Sequence, residues 1–299
     1  MTTATGIQPI ERLRTYASFV RLEHTLFSLP LILAGVFSAP GSAMSPGRWL
    51  GVGIAAVAAR TAALSLNRLI DWRLDALNPR TQGRELPAGR MRPAEAWALL
   101  IGSAAAYLLA CVWLGPWYLA VAPIPLAVFA VYPYLKRFTP YCHFGVGAAL
   151  ALSPLAGYAA AHPELHHLEP ALWLAGFALS WVSGFDIIYA TLDERSDRQH
   201  RVRSMVTFLG KARALRLSAG LHMMAFLCLV GAIRTMLLQG PSRVWAWPAA
   251  GAATLVAGIL LYLEQKWSGN VDLAFFKVNV WVGVAVLAAV LLARAALGF

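Results

Sequence analysis

GVGIAAVAARTAALSLNRLIDWRLDALNPR, residues 51–80, begins as an apolar run and ends as a ladder of polar side chains, Asn67, Asp71 and Asp75. The span expected here, 49–70, has the length of a membrane crossing, because a helix rises about 1.5 Å per residue through a hydrocarbon layer of roughly 30 Å. The ladder is spaced i, i+4, i+8, which sets its side chains on one helical face. The segment therefore reads as a membrane helix that carries acidic oxygens out to one surface.

The composition extends that reading to the whole chain. Of 299 residues, 59% are hydrophobic and 13% charged, with mean hydropathy +0.61, whereas a soluble domain carries about 25% charged residues. Further apolar runs fall at 20–39, 94–114, 117–135, 143–161, 171–192, 215–233, 244–263 and 273–296. Together they predict an all-α bundle of nine transmembrane helices, with residues 1–299 forming a single transmembrane domain. The opening residues lack the basic-then-apolar order of a cleaved signal, so the first run is expected to remain as a span.

The formal charge of +11 is scattered through loops that flank the membrane, which argues against nucleic acid and for anionic lipid and phosphate as partners. With the N-terminus in the cytoplasm, Arg73, Arg80, Arg84, Arg90 and Arg92, then Lys136 and Arg137, then the arginines of 195–213 share the cytoplasmic side. Loops 115–118 and 162–170 contain no Lys or Arg, as the positive-inside rule expects of outward loops, while Arg234 and Arg243 depart from it. Trp113, Trp117, Trp245 and Trp247 lie near span ends and read as interfacial anchors. Cys111, Cys142 and Cys228 lack metal-ligand spacing and read as small hydrophobes.

The first ladder has a twin. At the end of the sixth span stand Tyr189, Asp193 and Asp197, again at i, i+4, i+8. Paired aspartates repel each other, and near a helix C-terminus the macrodipole disfavours each by about 0.3–1 kcal/mol. Building this twice at one membrane surface suggests a cation between the sets. Oxygen ligands without thiolate or clustered imidazole suit Mg²⁺, which commonly joins carboxylates to substrate phosphates. Arg80 and Arg84 after the first set, and Arg201 and Arg203 after the second, can hold phosphate oxygens. The competing reading is that the aspartates simply pair with these arginines on a solvated face.

Deeper in the membrane lie Arg60, two turns before Asn67, and Asp186, two turns before Asp193. Ionisable groups at such depth line a polar cavity or find a partner, so these two either bound a substrate pocket beneath the metal site or pair with each other. His162, His166 and His167 lack a completing carboxylate or thiolate pattern and read as solvated loop residues.

Through "NRLIDWRLDALNPRTQGRELPAGR", "YPYLKRFTPYCHFGVGAALALSPLAG" and "GFDIIYATLDERSDR" the chain resembles the UbiA superfamily of intramembrane prenyltransferases over most of its length. The resemblance implies nine helices and Mg²⁺-dependent transfer of a polyprenyl group from its diphosphate to a hydroxylated aromatic acid in quinone biosynthesis. It implies Asn67, Asp71, Asp75, Asp193 and Asp197 for Mg²⁺ and diphosphate, with Arg80, Arg84, Tyr132 and Lys136 as diphosphate contacts. Arg60, Asp186 and Tyr189 match positions around the acceptor and the reacting carbon. It would place the protein in a bacterial cytoplasmic membrane with its site facing the cytoplasm. "RLEHTLFSLPLILAG" has His24 and Thr25 where the best-known 4-hydroxybenzoate enzymes have a lysine-proline pair, which resembles the branch that prenylates 1,4-dihydroxy-6-naphthoate on the way to menaquinone. Alternatives are a haem farnesyltransferase of the same superfamily, or a transporter using the paired carboxylates as an ion site.

Overall fold

The structure is a computed structural model that describes residues 9–21, 25–41, 44–240, 243–269 and 278–297, apart from the side chains of residues 9–10 and 25–27. Glu23 and His24, which suggested the naphthoate branch, lie outside the described residues, as does the side chain of Thr25. The helices run α1 Pro9–Phe19, α2 Thr25–Phe37, α3 Pro46–Leu77, α4 Pro93–Leu114, α5 Pro116–Val121, α6 Pro123–Phe138 and α7 Cys142–Ala161. They continue as α8 Glu169–Ala190, α9 Glu194–Gln199, α10 Met205–Leu209, α11 Lys211–Leu237, α12 Ala246–Lys266 and α13 Asn279–Ala296. Among the described residues there is no strand, and the fold is all-α.

Eight helices are long and apolar enough to cross a membrane among the described residues: α3, α4, α5 with α6, α7, α8, α11, α12 and α13. The first expected span is the shorter α2, 13 residues long. The chain turns before it, with Arg21 in the left-handed region at φ 45°, so Val20 closes the turn after α1 rather than opening a span. Helix α3 runs the other way in length. Its 32 residues extend for about 48 Å, well beyond a bilayer core, so its last turns carry Asp71 and Asp75 out of the hydrocarbon. Pro123 restarts the helix after Ala122, because proline supplies no N–H to continue the ladder of α5.

Helix α8 is the axis of the bundle, with Leu174, Phe177, Trp181 and Ile187 fully buried. Its contacts with α7 and α11 depend on small residues. A Cβ at Gly147 would meet Leu179 O at 2.5 Å, and one at Gly184 would meet His222 Cδ2 at 2.4 Å. The α2–α7 crossing is closer still: a Cβ at Gly157 would sit 2.0 Å from Ile32 O, and one at Gly35 would sit 2.0 Å from Pro154 O. In lipid, close backbone approach supplies the packing that water exclusion supplies elsewhere. Polar side chains tie in the C-terminal helices: Trp181 Nε1 donates to Asn279 Oδ1 at 2.9 Å, and Gln265 Nε2 to Ser218 Oγ at 2.6 Å.

His162 departs from the solvated-loop expectation. It caps the end of α7, is buried, and stacks on Tyr158 with ring centroids 4.9 Å apart. His166, exposed and 3.2 Å from Glu164, does follow it. The four tryptophans expected at the interface are all exposed on the protein surface.

The α2–α7 contact gives a direct test. Gly157→Ala should lower the thermal midpoint in detergent by several degrees, consistent with an overpacking cost of about 1–3 kcal/mol. Gly102→Ala, where a Cβ meets nothing within 4 Å, should leave it unchanged.

Candidate active site

The first acidic ladder stands on the last turns of α3. The second, expected on one helical face, is broken at residues 191–193: Tyr189 ends α8, Asp193 caps α9 and Asp197 lies on α9, with α6 and α7 as the walls between the two ladders. The space they enclose, about 300 Å³, is lined by Asn67, Asp71 and Asp75 of the first ladder and by Tyr189, Asp193 and Asp197 of the second. Arg80, Arg84, Tyr132, Lys136 and Asp186 line it too, so the structure gathers most of the residues singled out in the sequence.

Each aspartate pair is held by cations. Asp71, with 3% of its side chain exposed, accepts through Oδ2 from Lys136 Nζ at 2.5 Å and from Asn67 Nδ2 at 3.1 Å. Its Oδ1 is buried with no hydrogen-bond partner, the nearest cation being Arg137 Nη2 at 3.9 Å. Arg84 Nη1 donates to both oxygens of Asp75 at 2.7 and 2.8 Å, with buried Arg68 behind it at 3.9 Å.

The second ladder is stapled to the first. Arg80, in the loop after α3, donates through Nε and Nη2 to the two oxygens of Asp193 at 2.8 and 2.5 Å. Its Nη1 donates to the Tyr189 hydroxyl at 2.6 Å, and its guanidinium lies 4.6 Å from the centroid of that ring. Asn78 Nδ2 adds a bond to Asp193 Oδ1 at 2.7 Å. One turn on, the Asp197 carboxyl is pushed up to about 7, first by loss of water and then by the charge of Asp193.

The arginine loop is braced from outside. Thr81 Oγ1 donates to Asp75 O at 2.9 Å, Ser18 Oγ on α1 donates to Glu85 Oε1 at 2.7 Å, and Phe19 packs with Leu86 and Met91. The loop after α9 is tied to the end of α6, where Arg203 N donates to Lys136 O at 2.8 Å and Arg203 Nη1 to Phe138 O at 2.7 Å. Arg203 thus satisfies carbonyls at a helix end, and neither it nor exposed Arg201 lines the cavity. Arg60 is half-buried and also absent from the lining, though its charge acts on the Tyr132 hydroxyl.

Three contributors escaped the sequence reading. Asn78 braces Asp193, Arg68 backs Asp75, and His143 Nδ1 lies 2.6 Å from Asp186 Oδ2. Arg68 and His143 sit within membrane helices, so the rule that singled out Arg60 and Asp186 applies equally to them. Asn78 carries no such signal, because its partner is 115 residues away.

The donor set suits a hard divalent cation. Five carboxylates face three cations in the lining, leaving negative charge in excess, and the orphaned Asp71 Oδ1 is an oxygen of the kind such an ion takes. Among the described residues no three His, Cys, Asp or Glu groups converge as a finished metal cage. Asn67, Asp71, Asp75, Asp193 and Asp197 therefore fit a cation whose shell is completed by water or ligand oxygens.

Residues 28–283 match the UbiA prenyltransferase family. The 4-hydroxybenzoate octaprenyltransferase of Dechloromonas aromatica is 29% identical over 289 residues, 92% of each chain. That of Ectopseudomonas mendocina is 27% identical over 78% of this chain and 76% of its own. The apo structure of a UbiA homolog from Aeropyrum pernix K1 superposes with a TM-score of 0.80 at 28% identity, covering 91% of this chain and 98% of that one. A UbiA homolog from Archaeoglobus fulgidus, solved with GPP and Mg²⁺, shares the fold at a TM-score of 0.67 and 16% identity, over 95% of this chain and all (100%) of that one.

The ion pairs make a prediction independent of catalysis. Lys136→Met strands a buried carboxylate and should destabilise the protein by about 1–3 kcal/mol in detergent unfolding. Adding Asp71→Asn should restore most of that loss, with a coupling that a double-mutant cycle reads directly.

Proposed function

We infer the reaction from the premise that this chain belongs to the UbiA prenyltransferase family and is a transferase. It moves a polyprenyl group from its diphosphate to a hydroxylated aromatic carboxylic acid, with Mg²⁺ as the metal and the cytoplasmic side as the site of entry. The observation that carries this reading is the stapling of two acidic ladders, each with its own cation donors, around one cavity at the end of the bundle. Relatives named for 4-hydroxybenzoate and a neighbour solved with GPP and Mg²⁺ support the substrate classes.

Asn67, Asp71, Asp75, Asp193 and Asp197 would hold the metal, which when bound neutralises negative charge on a departing diphosphate. Lys136, Arg84 and Arg80 exchange carboxylate partners for phosphate oxygens, keeping charge-assisted bonds throughout. Tyr132 and Tyr189, both in the lining, would turn ring faces toward positive charge on the allylic carbon, Tyr189 once Arg80 has moved to phosphate. Leu74, Pro133 and Val146 supply the apolar wall that keeps water from that carbon. Arg60, beyond the lining, would reach the acceptor carboxylate through its planar fork, and Asp186 or Tyr189 would receive the ring proton. For the acceptor we favour 1,4-dihydroxy-6-naphthoate over 4-hydroxybenzoate, on the residues at 23–25.

Asp71→Ala and Asp193→Ala should each lower transfer by about a thousandfold or more in folded, membrane-inserted protein, and EDTA should do the same to the wild type. Near-normal turnover in either variant at saturating Mg²⁺ would contradict the two-ladder site. Offered the two acids separately with a polyprenyl diphosphate, the wild type should prefer the naphthoate by product mass; exclusive use of 4-hydroxybenzoate would reverse that assignment. In the same assay Arg60→Ala should raise acceptor KM about tenfold without weakening diphosphate binding, and Arg60→Lys should rescue it poorly.

A further inference from the structure

Resting on the prenyl-transfer reading above, we propose that His143 is the positioning residue that makes Asp186, rather than Tyr189, the acceptor of the ring proton. His143 has 3% of its side chain exposed and joins three elements. It stands in the first turn of α7, its Nδ1 lies 2.6 Å from Asp186 Oδ2 on α8, and its Nε2 accepts the Met205 N–H at the start of α10 at 3.3 Å. That N–H belongs to the first turn of a helix and has no intrahelical acceptor.

The two contacts assign the ring nitrogens different tasks. A backbone N–H can only donate, so the Met205 contact calls for a lone pair on Nε2, and Nδ1 then donates its proton to Asp186. Asp186 is then an oriented carboxylate, 28% exposed, with Oδ2 engaged and its other oxygen available to the cavity that it lines. It stands on the last turns of α8, three residues before Tyr189 and before the break that carries Asp193 to α9, which is the depth at which the proposal sets the acceptor ring.

Tyr189 is poorly suited to the same task. A neutral phenol that keeps its own proton is a far weaker base than a carboxylate, and in the structure its hydroxyl is turned to Arg80 Nη1. His143 also keeps Asp186 from swinging to Lys136 or Arg80, which line the same cavity and would neutralise it.

The step balances without a further reactant. The C1–O bond of the allylic diphosphate breaks and its electron pair leaves with the diphosphate. A ring carbon supplies the pair for the new bond to C1, the C–H pair at that carbon returns to the ring, and the proton passes to Asp186 and then to water as product leaves.

The test uses the full chain in lipid nanodiscs with a polyprenyl diphosphate and an aromatic acid carrying hydrogen or deuterium at the alkylated ring carbon. His143→Leu should lower kcat tenfold or more, leave the diphosphate KM within twofold, and raise the deuterium effect on kcat from near 1 to above 2, because proton loss becomes limiting. His143→Gln keeps an N–H donor and should recover most of kcat. Nitrogen-15 shifts of labelled wild type should show a protonated Nδ1 and an unprotonated Nε2, a readout independent of turnover. Equal losses in Leu and Gln variants, an unchanged isotope effect, a collapsed diphosphate KM or a doubly protonated ring would each overturn the role of His143. Wild type that transfers no prenyl group to any aromatic acid would overturn the reaction itself along with it.

Discussion

Buried negative charge is costly to leave unpaired at the edge of a membrane, and this protein concentrates it there. The Arg80–Asp193 contact answers that constraint and sets the geometry of the site. It ties the loop that follows α3 to the start of α9, two segments 113 residues apart, and so closes a cavity that neither ladder encloses alone. The long reach of α3, the close α7–α8 packing at Gly147 and the brace of α1 on the arginine loop all serve to hold those two ladders opposite each other.

The same cations and carboxylates have two sets of partners available. In the structure they satisfy one another: Lys136 with Asp71, Arg84 with Asp75, Arg80 with Asp193. On the proposed reading, a divalent cation arriving with a diphosphate would offer the carboxylates a metal and the cations phosphate oxygens, so each group would exchange one charged partner for another. Stranding one desolvated charge of a pair is the costliest outcome, and that exchange would strand none of these. On that proposal, the competing view of the ladders, that they pair with nearby arginines, would describe the resting arrangement of the same site.

Much of this was legible in the residues. Apolar runs gave the helices, because lipid leaves backbone groups no partner but one another. The i, i+4, i+8 spacing gave the first ladder, which survives on α3 as a helical face, and picked out the members of the second, although the chain breaks there between α8 and α9. What the chain order hid are contacts made by tertiary structure. Val20 looks like part of a span until the turn at Arg21 separates it from α2. Arg203 looks like a phosphate donor, yet its reach is spent on Phe138 O, and nothing in a string of arginines separates the two fates. His162 reads as a loop residue until Tyr158 covers it. His143 and Arg68 were visible as ionisable residues inside spans, but their importance lies in Asp186 and Asp75, which only packing brings beside them.

The claim on which the account rests is that one metal–diphosphate unit bridges both ladders. Electron–nuclear double resonance on protein loaded with Mn²⁺ and inorganic diphosphate tests it most directly. The account predicts a single bound-metal species coupled to phosphorus-31, formed only when both ligands are present and lost in Asp71→Asn and Asp193→Asn alike. Metal held at one ladder, without phosphorus coupling and indifferent to substitution in the other, would contradict it.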